Sequence, residues 1–324
     1  MPTVSVIMPT VSVIMPAYNS ERFIGAAIQS VLHQTYEDLE VIVVDDGSTD
    51  NTVAVAESIR DERVRVYKLP HVGCAANYNR CFSHAKGKYF AILDHDDLML
   101  PERLERQIER LDGDSDLMMI GSCYDIIDED DRVLDRKHMP QGPKLIRRYQ
   151  AVFNAIQHPT ITFRRQLLDL IGMYHEEYYP AHDSEFILRA VQVGKCDNIP
   201  LSLTQWRRVK TSPTNAKAAE GIEKHYRVRR EYNVDKFIEA RNSRVKREYA
   251  LNLARVAYYR GLGAETFTWC LRTLSRGGWS LPTFRYLFSS LLMPLVRFLR
   301  AHNLRFPGLE SLKQRKMSWE YFSP

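Results

Sequence analysis

The sequence predicts an α/β protein in which a doubly wound mixed sheet is flanked by helices and followed by a helical, basic carboxyl-terminal region. Strands are predicted at 11–15, 41–44, 63–69 and 89–93, and the runs of β-branched and aromatic residues at 41–44 and 89–93 have the composition of strands buried on both faces. Amphipathic stretches alternate with these strands over short connections, which is typical of doubly wound sheets. From about residue 218 onward the pattern is helical and rich in Lys and Arg.

The helices of the first half follow these strands in order. After the strand at 11–15, apolar residues recur at helical spacing and predict a helix (Phe23, Ile24, Ala27, Ile28, Val31 and Leu32). Further helices are predicted at 51–59 and 73–85. Pro101 indicates the first turn of another helix, where its missing N–H breaks no hydrogen bond. The second half is predicted to contain a hairpin from 117–127 and 132–134, a helix at 144–156, a strand at 160–164 and a helix at 184–193.

The amino terminus contains a tandem repeat, because residues 1–7 recur as residues 8–14. Two seven-residue copies are too few and too short for a solenoid, so we interpret 1–7 as a redundant segment and Met8 as an alternative start. The terminus lacks the basic leader of a signal peptide, and the five Cys residues show no CxxC spacing. These features predict a cytoplasmic protein without a disulfide framework or a zinc site.

Charge is distributed unevenly along the chain, whose formal net charge is +5. Residues 201–324 contain 24 Lys and Arg against 9 Asp and Glu, a net +15, whereas the remaining 200 residues carry 21 against 31, a net −10. The basic region would suit an anionic partner such as phospholipid headgroups, a lipid-linked phosphate or an acidic glycan. Solvated helix faces explain the same charges. The apolar stretch 281–299 is interrupted by Pro and Arg, so it predicts an interfacial or a docked helix and not a membrane-spanning one.

Two acidic clusters follow two of the predicted strands. Asp45 and Asp46 come after the strand at 41–44, and Asp94, Asp96 and Asp97 come after the strand at 89–93. The carboxyl ends of parallel strands meet at one edge of a sheet, where open α/β folds bind ligands. Crowded carboxylates repel one another unless a cation or a hydrogen-bonding ligand compensates them. A divalent metal with a diphosphate, and a nucleoside beside it, would satisfy both needs.

Five segments occur in a fixed order: Val11–Asn19, Ser30–Thr35, Val44–Asp50, Ala85–Tyr89 and Leu93–Asp97. Together they resemble the family 2 glycosyltransferases, which are inverting, nucleotide-sugar-dependent enzymes with a GT-A fold. The resemblance is dense over residues 10–100, thinner to about 210 and absent afterwards. It implies a GT-A catalytic domain at 8–215 and a separate helical, basic region at 216–324.

The resemblance implies roles for residues on the donor side. Pro16 and Tyr18 would border the nucleotide, with Tyr18 stacking on the base, and Asp46 would accept a hydrogen bond from a base that is often uracil. Asp96 would approach the ribose or the metal, and Asp97 would ligate Mn²⁺ or Mg²⁺, with Asp94 in the same metal cluster. Purely structural roles remain open: a turn aromatic for Tyr18, an Asx turn for Asp46 and a backbone-binding carboxylate for Asp94.

The resemblance also implies a general base. Asp183 matches the family's acidic residue at the start of a helix, and His182 stands where the family often has Glu. The alternative is that Asp183 only caps this helix, with Glu185 exposed. The family's Arg before Asn79 is replaced by Tyr78.

These observations predict a metal-dependent inverting glycosyltransferase. It would move one hexosyl or N-acetylhexosaminyl group, from a donor expected to be UDP-linked, to a hydroxyl of a glycan or lipid-linked oligosaccharide in polysaccharide or cell-envelope synthesis. The chain lacks the QxxRW signature of processive members. Arg207, Arg208 and Lys210 would reach the diphosphate from a mobile loop, and peripheral contact with the cytoplasmic membrane face remains open. A non-catalytic nucleotide-sugar-binding protein and a nucleotidyltransferase are the alternatives; no motif suggests nucleic-acid binding.

Overall fold

A computed structural model describes residues 8–151, 154–209 and 218–232, together with 267, 268, 270–272, 274 and 287. The chain divides into two compact units. The first comprises residues 1–150 and 155–210, and the second comprises 151–154 and 211–324. The repeat copy 1–7, Lys210 and, apart from residue 287, the apolar stretch 281–299 lie outside the described residues.

In the first unit the described residues form a nine-stranded mixed sheet. Its strands run in the spatial order β3-β2-β1-β4-β8-β6-β9-β5, with β7 paired to β6. β1, β2, β3 and β4 are parallel, β8 is antiparallel to both β4 and β6, and β6 is parallel to β9. The strands are β1 (Val11–Ala17), β2 (Leu39–Asp45), β3 (Val64–Lys68), β4 (Tyr89–Ile92), β5 (Leu98–Met99), β6 (Leu117–Ile127), β7 (Val133–Lys137), β8 (Thr162–Arg164) and β9 (Lys195–Arg207).

Helices flank this sheet as predicted. Those of the first unit are α1 (Ile24–Leu32), α2 (Thr52–Ser58), α3 (Cys74–His84), α4 (Arg103–Gly113), α5 (Pro143–Gln150), α6 (Gln166–Ile171) and α7 (His182–Val193). In the second unit the described residues include α8 (Ala218–Glu231). Every residue of β1, β2 and β4 is buried, as their continuous apolar composition predicts. Among the described residues, no helix is both long and apolar enough to span a membrane.

The parallel pairing brings three loops to one edge of the sheet. β1 lies between β2 and β4, with Ala17 in register with Asp45 and Ile14 in register with Ile92. The segments after β1, β2 and β4 therefore leave the sheet side by side at its carboxyl edge, where ligands bind in open α/β folds.

β5 and α6 were not predicted, and α4 begins at Arg103, two residues after the predicted start at Pro101. Two further elements also differ from the sequence prediction. The helix predicted at 144–156 ends at Gln150, whose side-chain oxygen accepts a hydrogen bond from Ala155 N at 2.8 Å; a 3₁₀ turn follows at His158–Thr160. β9 was not predicted as a strand because Pro200 interrupts its sequence. Its register with β6 shifts on either side of Cys123, near the point where Pro200 passes, so an irregularity accommodates the proline. Arg207 therefore ends a strand and is not part of a mobile loop.

Candidate functional site

The loops after β1 and β2 hold each other in place. Asn19 adopts a positive φ of 48°, and its side-chain oxygen accepts a hydrogen bond from Thr49 N at 2.9 Å. In return, Asn19 N donates to the Ser48 hydroxyl at 2.9 Å. Tyr18, directly before Asn19, remains 42% exposed. The structure therefore presents a partly exposed aromatic ring at the start of the sheet edge.

Asp46 is buried under a neighbouring segment of the chain. The strap, which we define as residues 70–73, crosses this carboxylate just before α3. Asp46 Oδ1 accepts a hydrogen bond from Val72 N and Oδ2 accepts one from Gly73 N, both at 2.8 Å. Only 2% of Asp46 is exposed. In this structure, both carboxylate oxygens of Asp46 therefore bind backbone N–H groups of the strap.

Three carboxylates follow β4. The Tyr78 hydroxyl donates a hydrogen bond to Asp94 Oδ1. Asp97 is fully buried, its Oδ1 accepts a hydrogen bond from Arg207 N at 2.7 Å, and Arg207 Nε donates to the carbonyl of Asp96 at 2.7 Å. The end of β9 therefore holds this loop in place; we call residues 94–97 the acidic loop. His95 reaches back to β1, where its Nδ1 lies 3.0 Å from the carbonyl of Pro16.

Burial raises the pKa of all three carboxyl groups, and repulsion from neighbouring carboxylates adds to the effect on Asp96 and Asp97. Burial is the main cause in each case, and the neighbouring Asp94 charge adds to the effect on Asp96. The pKa of Asp97 is raised well above its ordinary value by burial and by the charges of Asp96 and Asp94. Beneath them lies a fully buried Arg103, which donates to the carbonyls of Pro159, Ile92 and Ile161.

A divalent cation fits this cluster if another ligand shares it. The Oδ2 atom of Asp97 is buried without a hydrogen-bond partner, and the charges of Asp96 and Asp94 raise the cost of ionising Asp97. Yet among the described residues no three His, Cys, Asp or Glu side chains are grouped as a complete metal site. Hard divalent cations accept oxygen ligands from phosphates as readily as from carboxylates. The residues therefore suit a cation that arrives with a phosphate-bearing ligand.

The predicted base lies in the first turn of α7. The pKa of the Tyr174 phenol is raised first by burial of the phenol. The nearby charges of Asp183 and Asp94 add to this shift. Tyr174 is therefore close to both Asp183 and Asp94. Glu185, which was expected to be exposed if Asp183 served only as a cap, is instead fully buried and bonded to Arg189 at 2.7 Å.

A cluster of buried rings packs between α3 and α7. Tyr78 lies 5.1 Å from His158 and 6.0 Å from His182, measured between ring centroids, and Tyr174 contacts all three rings. His158 Nε2 lies 2.7 Å from the Tyr174 hydroxyl. Burial lowers the pKa of both histidines to about 3, so both are neutral near pH 7. His158 is therefore a structural histidine of this cluster.

Comparison with known proteins identifies the family. Residues 12–172, which contain the sheet edge and the acidic loop, match the model of glycosyl transferase family 2. This domain belongs to glycosyl transferase family 2.

Curated relatives agree with this membership. An uncharacterised glycosyltransferase of Haemophilus influenzae is 31% identical over 221 residues, which cover 64% of this chain and 65% of the relative. An uncharacterised glycosyltransferase of Rickettsia prowazekii, RP339, is 33% identical over 200 residues, which cover 60% of each chain. The chain thus matches less than two thirds of the length of these relatives.

Solved structures of glycosyltransferases share the fold. S. aureus TarS 1-349 in complex with UDP-GlcNAc superimposes with a TM-score of 0.58 at 18% identity, covering 92% of this chain and 93% of TarS. The mannosyltransferase PcManGT from Pyrobaculum calidifontis, in complex with GDP-Man and Mn²⁺, gives a TM-score of 0.55 at 19% identity, covering 90% and 88%. The family 2 chain described here therefore has the predicted GT-A fold.

Several predicted site residues of this family 2 domain come together. Asp94, Asp96 and Asp97 form one acidic cluster, and Tyr18 is linked to Asp46 through His71, whose ring lies 4.8 Å from that of Tyr18. Pro16 is buried within β1. Asp50 binds the start of α2, since its Oδ1 accepts a hydrogen bond from Thr52 N at 3.0 Å.

Three residues at the site were not predicted from the sequence in the roles they have. His71 contacts Asp46, Tyr78 contacts Asp94, and Arg103 lies buried beneath the acidic loop. Arg207 was expected to bind the diphosphate. Only 4% of this residue is exposed, however, and its guanidinium donates hydrogen bonds to the backbone carbonyls of Asp96 and Asp128. Of these residues, only Tyr78 stood out in the sequence, because it replaces the Arg that the family has before Asn79.

Proposed function

We propose that this chain is an inverting glycosyltransferase that moves one sugar from a nucleotide-sugar to an acceptor hydroxyl. The observation that carries the proposal is a pair of acidic centres near Tyr174. On one side is the acidic loop with Asp94, and on the other is Asp183, and the charges of both act on this one phenol. Transfer needs a cation site for the leaving diphosphate and a separate base for the acceptor, and the two centres supply these groups.

The donor is proposed to be UDP-linked and to carry a hexosyl or N-acetylhexosaminyl group. A base would stack on Tyr18, whose ring is partly exposed at the sheet edge. Pro16 and Asp46 would form the wall behind it. S. aureus TarS with UDP-GlcNAc and the Pyrobaculum mannosyltransferase with GDP-Man support a nucleotide-sugar donor in this fold.

Metal use is proposed for the acidic loop. Asp96 and Asp97 would hold Mn²⁺ or Mg²⁺, with Asp94 beside them. A bound cation would neutralise the charge that develops on the departing diphosphate. The buried, unpartnered Oδ2 of Asp97 and the presence of Mn²⁺ in the Pyrobaculum complex support this assignment.

Asp183 is proposed as the general base. The acceptor oxygen forms a bond to the anomeric carbon as the bond from that carbon to the diphosphate breaks, and Asp183 takes the hydroxyl proton. Attack from the face opposite the leaving group inverts the anomeric centre. Glu185 is less suited to this role because Arg189 binds both of its oxygens, at 2.7 and 2.8 Å.

The acceptor is proposed to be a hydroxyl of a glycan or a lipid-linked oligosaccharide, and transfer to be non-processive. The domain organisation proposed is a catalytic domain at 8–215 and a basic region at 216–324 that contacts the cytoplasmic membrane face. A non-catalytic nucleotide-sugar-binding protein is the second candidate. It is favoured by Tyr78, which replaces the family's Arg and binds Asp94.

The test combines binding and turnover. UDP, UDP-GlcNAc, UDP-glucose and GDP-mannose are titrated with and without Mn²⁺ while the melting temperature is recorded. A ligand present at 100 times its Kd stabilises the folded state by about 2.7 kcal/mol, a shift that is readily measured. We expect stabilisation by a UDP-sugar that requires Mn²⁺, followed by slow release of UDP. If no nucleotide-sugar stabilises the protein, the proposal fails; binding without turnover on any acceptor favours the second candidate.

A further inference from the structure

The strap uses the hydrogen-bonding capacity of Asp46. Besides the two backbone N–H groups of Val72 and Gly73, Asp46 Oδ2 lies 2.9 Å from His71 Nδ1, and Arg80 Nη1 lies 3.5 Å from Oδ1. Arg80 also donates to the carbonyl of Pro70 at 2.5 Å, which ties the start of the strap to α3. With 2% of Asp46 exposed, a nucleobase N–H cannot reach this carboxylate unless these bonds break.

The contacts of His71 determine where its proton lies. Nδ1 is 2.9 Å from Asp46 Oδ2 and 3.0 Å from the carbonyl oxygen of Asp46. Both neighbours are acceptors, so in the neutral imidazole the proton resides on Nδ1 and Nε2 is left as an acceptor. In the described part of the chain, no group is hydrogen-bonded to Nε2. The side chain is 58% exposed, so this acceptor is open to a ligand.

The ring of His71 also lies where a nucleobase is expected. It is 4.8 Å from the ring of Tyr18, at an angle of 38°. Backbone packing keeps it there. Gly47 has a φ of +75°, and a Cβ at Gly47 would lie 3.1 Å from His71 N, so the strap packs directly against a position that only glycine suits. An aromatic ring and an exposed acceptor therefore lie side by side at the sheet edge.

We propose that His71 recognises the nucleobase of the donor through Nε2, and that Asp46 is a positioning residue that holds the strap and sets the tautomer of His71. This inference rests on the proposed function, because it names the group that selects the donor nucleotide. It assigns to His71 the acceptor role that the sequence suggested for Asp46.

The chemistry of Nε2 defines the class of base. An acceptor pairs with a ring N–H, which uracil and thymine carry at N3 and guanine carries at N1. Cytosine N3 and adenine N1 carry no hydrogen and would face the Nε2 lone pair with their own. The site should therefore bind UDP more tightly than CDP and ADP, whose donors on this base edge are exocyclic amino groups beside the ring nitrogen and not at it.

The decisive experiment uses UDP and 3-methyl-UDP, which differ in the N–H that Nε2 would accept. Both are titrated calorimetrically in the presence of Mn²⁺ into the wild-type chain, His71→Ala and His71→Phe. For the wild type we expect methylation to weaken binding about tenfold, the loss typical of one hydrogen bond with a group left unsatisfied. Both variants should bind UDP about tenfold more weakly and no longer distinguish the two ligands. His71→Phe is the matched control, since it keeps a flat ring and removes the acceptor.

The role of Asp46 is tested by nitrogen NMR of the histidine side chains. In the wild type, His71 should show the tautomer protonated at Nδ1. In Asp46→Asn, the Nε2-protonated tautomer should gain population and the preference for UDP over 3-methyl-UDP should shrink. A residue that served only to stabilise the strap would lower the melting temperature and leave the tautomer unchanged.

Each remaining outcome has a definite meaning. If His71→Ala and His71→Phe still distinguish the two ligands, the acceptor is not His71 and the inference is wrong. If the wild type binds UDP but does not distinguish 3-methyl-UDP, the inference is also wrong while the proposed function stands. If UDP does not bind and GDP does, the same comparison is made with GDP and 1-methyl-GDP. Failure of every nucleoside diphosphate to bind overturns the proposed function and this inference with it.

Discussion

At the scale of single residues, the acidic loop carries charges in a place that opposes folding. A carboxyl group whose pKa is raised in the folded state binds more protons there than in the unfolded chain. Stability is then lost as the pH rises above the group's ordinary value towards the raised one. Asp97, whose pKa is raised well above its ordinary value, therefore destabilises the metal-free protein near pH 7. A residue retained at such a cost is a strong functional candidate.

Asp97→Asn should separate the cost of the buried charge to folding stability from its proposed benefit to metal binding. Asn keeps the oxygen that accepts from Arg207 N and removes the buried charge. Without metal, the variant should melt at a higher temperature than the wild type at pH 7. Donor binding should lose its dependence on Mn²⁺, and turnover should fall by two or more orders of magnitude. Thermal unfolding and a UDP-release assay measure both effects; a variant that turns over normally with Mn²⁺ would show that Asp97 is only structural.

Asp183→Asn should separate chemistry from donor binding. The proposed base would contact the acceptor hydroxyl and not the nucleotide, so UDP and Mn²⁺ affinities should stay within about threefold, under 1 kcal/mol of binding free energy. Removal of a general base costs about 10²–10⁴ in rate. Calorimetry and a sugar-transfer assay provide the two readouts. Loss of donor binding would instead make Asp183 a donor-site residue, and unchanged transfer would require another base.

The chemistry-bearing residues could be predicted better than their partners. Asp94, Asp96 and Asp97 were predicted to cluster, since strands of apolar composition end in carboxylates and parallel strands share an edge. The strap over Asp46 could not be predicted, because a sequence does not reveal which N–H groups reach a carboxylate 26 residues earlier. The side-chain bonds of Arg207 were hidden for the same reason.

At the scale of elements, β1, β2 and β4 were predicted to within two residues because burial on both faces leaves a continuous apolar pattern. β3 was predicted equally well, although its residues are only partly buried or exposed. β9 could not be predicted, since Pro200 lies inside it and its exposed and buried positions do not alternate regularly. The pairing of β8 between β4 and β6 is likewise a tertiary feature, because β8 contains only three residues.

The ring cluster between α3 and α7 should make stability depend on pH. Because the pKa of His158 in the folded state is about 3, the unfolded chain takes up a proton below about pH 6.5 that the folded chain does not. Stability should therefore fall as the pH drops from about 6.5, by up to roughly 1.4 kcal/mol per pH unit for each such histidine.

His158→Asn tests this dependence. Although the variant loses ring contacts and should melt lower overall, its melting temperature should fall less steeply between pH 6.5 and 4.5 than that of the wild type. Comparison at each pH removes the opposite contribution of the acidic loop, which both proteins share. The exposed His33 supplies a control, and His33→Asn should reproduce the wild-type slope. Identical slopes for all three proteins would contradict the burial of a neutral His158.

Both edges of the strand that begins the domain are paired within the described residues. β1 is hydrogen-bonded to β2 on one side and β4 on the other, starting from Val11. A chain that starts at Met8 keeps all of this pairing, so we expect its melting temperature to stay within about 1 °C, a change of under about 0.5 kcal/mol. Differential scanning calorimetry of the two chains decides this. A clear loss of stability would show that residues 1–7 pack against the fold.

At the scale of the whole molecule, charge and chemistry are divided along the chain. All the residues proposed for donor, metal and base lie before residue 184, and the net +15 of residues 201–324 contrasts with the net −10 of the rest. The division into compact units follows nearly the same boundary, since the first unit ends at Lys210. The predicted division at 215 rested on composition and on the end of the family resemblance, both of which are visible in a sequence.

A fragment of residues 8–210 should therefore keep UDP binding and lose binding to anionic vesicles. It contains all nine strands and every proposed site residue, so its UDP affinity with Mn²⁺ should stay within about threefold of the full chain. If the basic region contacts a membrane, the full chain should sediment with vesicles containing phosphatidylserine at low salt, and the fragment should stay in solution. The difference should vanish near 0.5 M salt, where the Debye length falls below about 5 Å. Vesicle binding by the fragment would assign the membrane contact to the catalytic domain, and loss of UDP binding would show that the carboxyl-terminal region is needed to form the donor site.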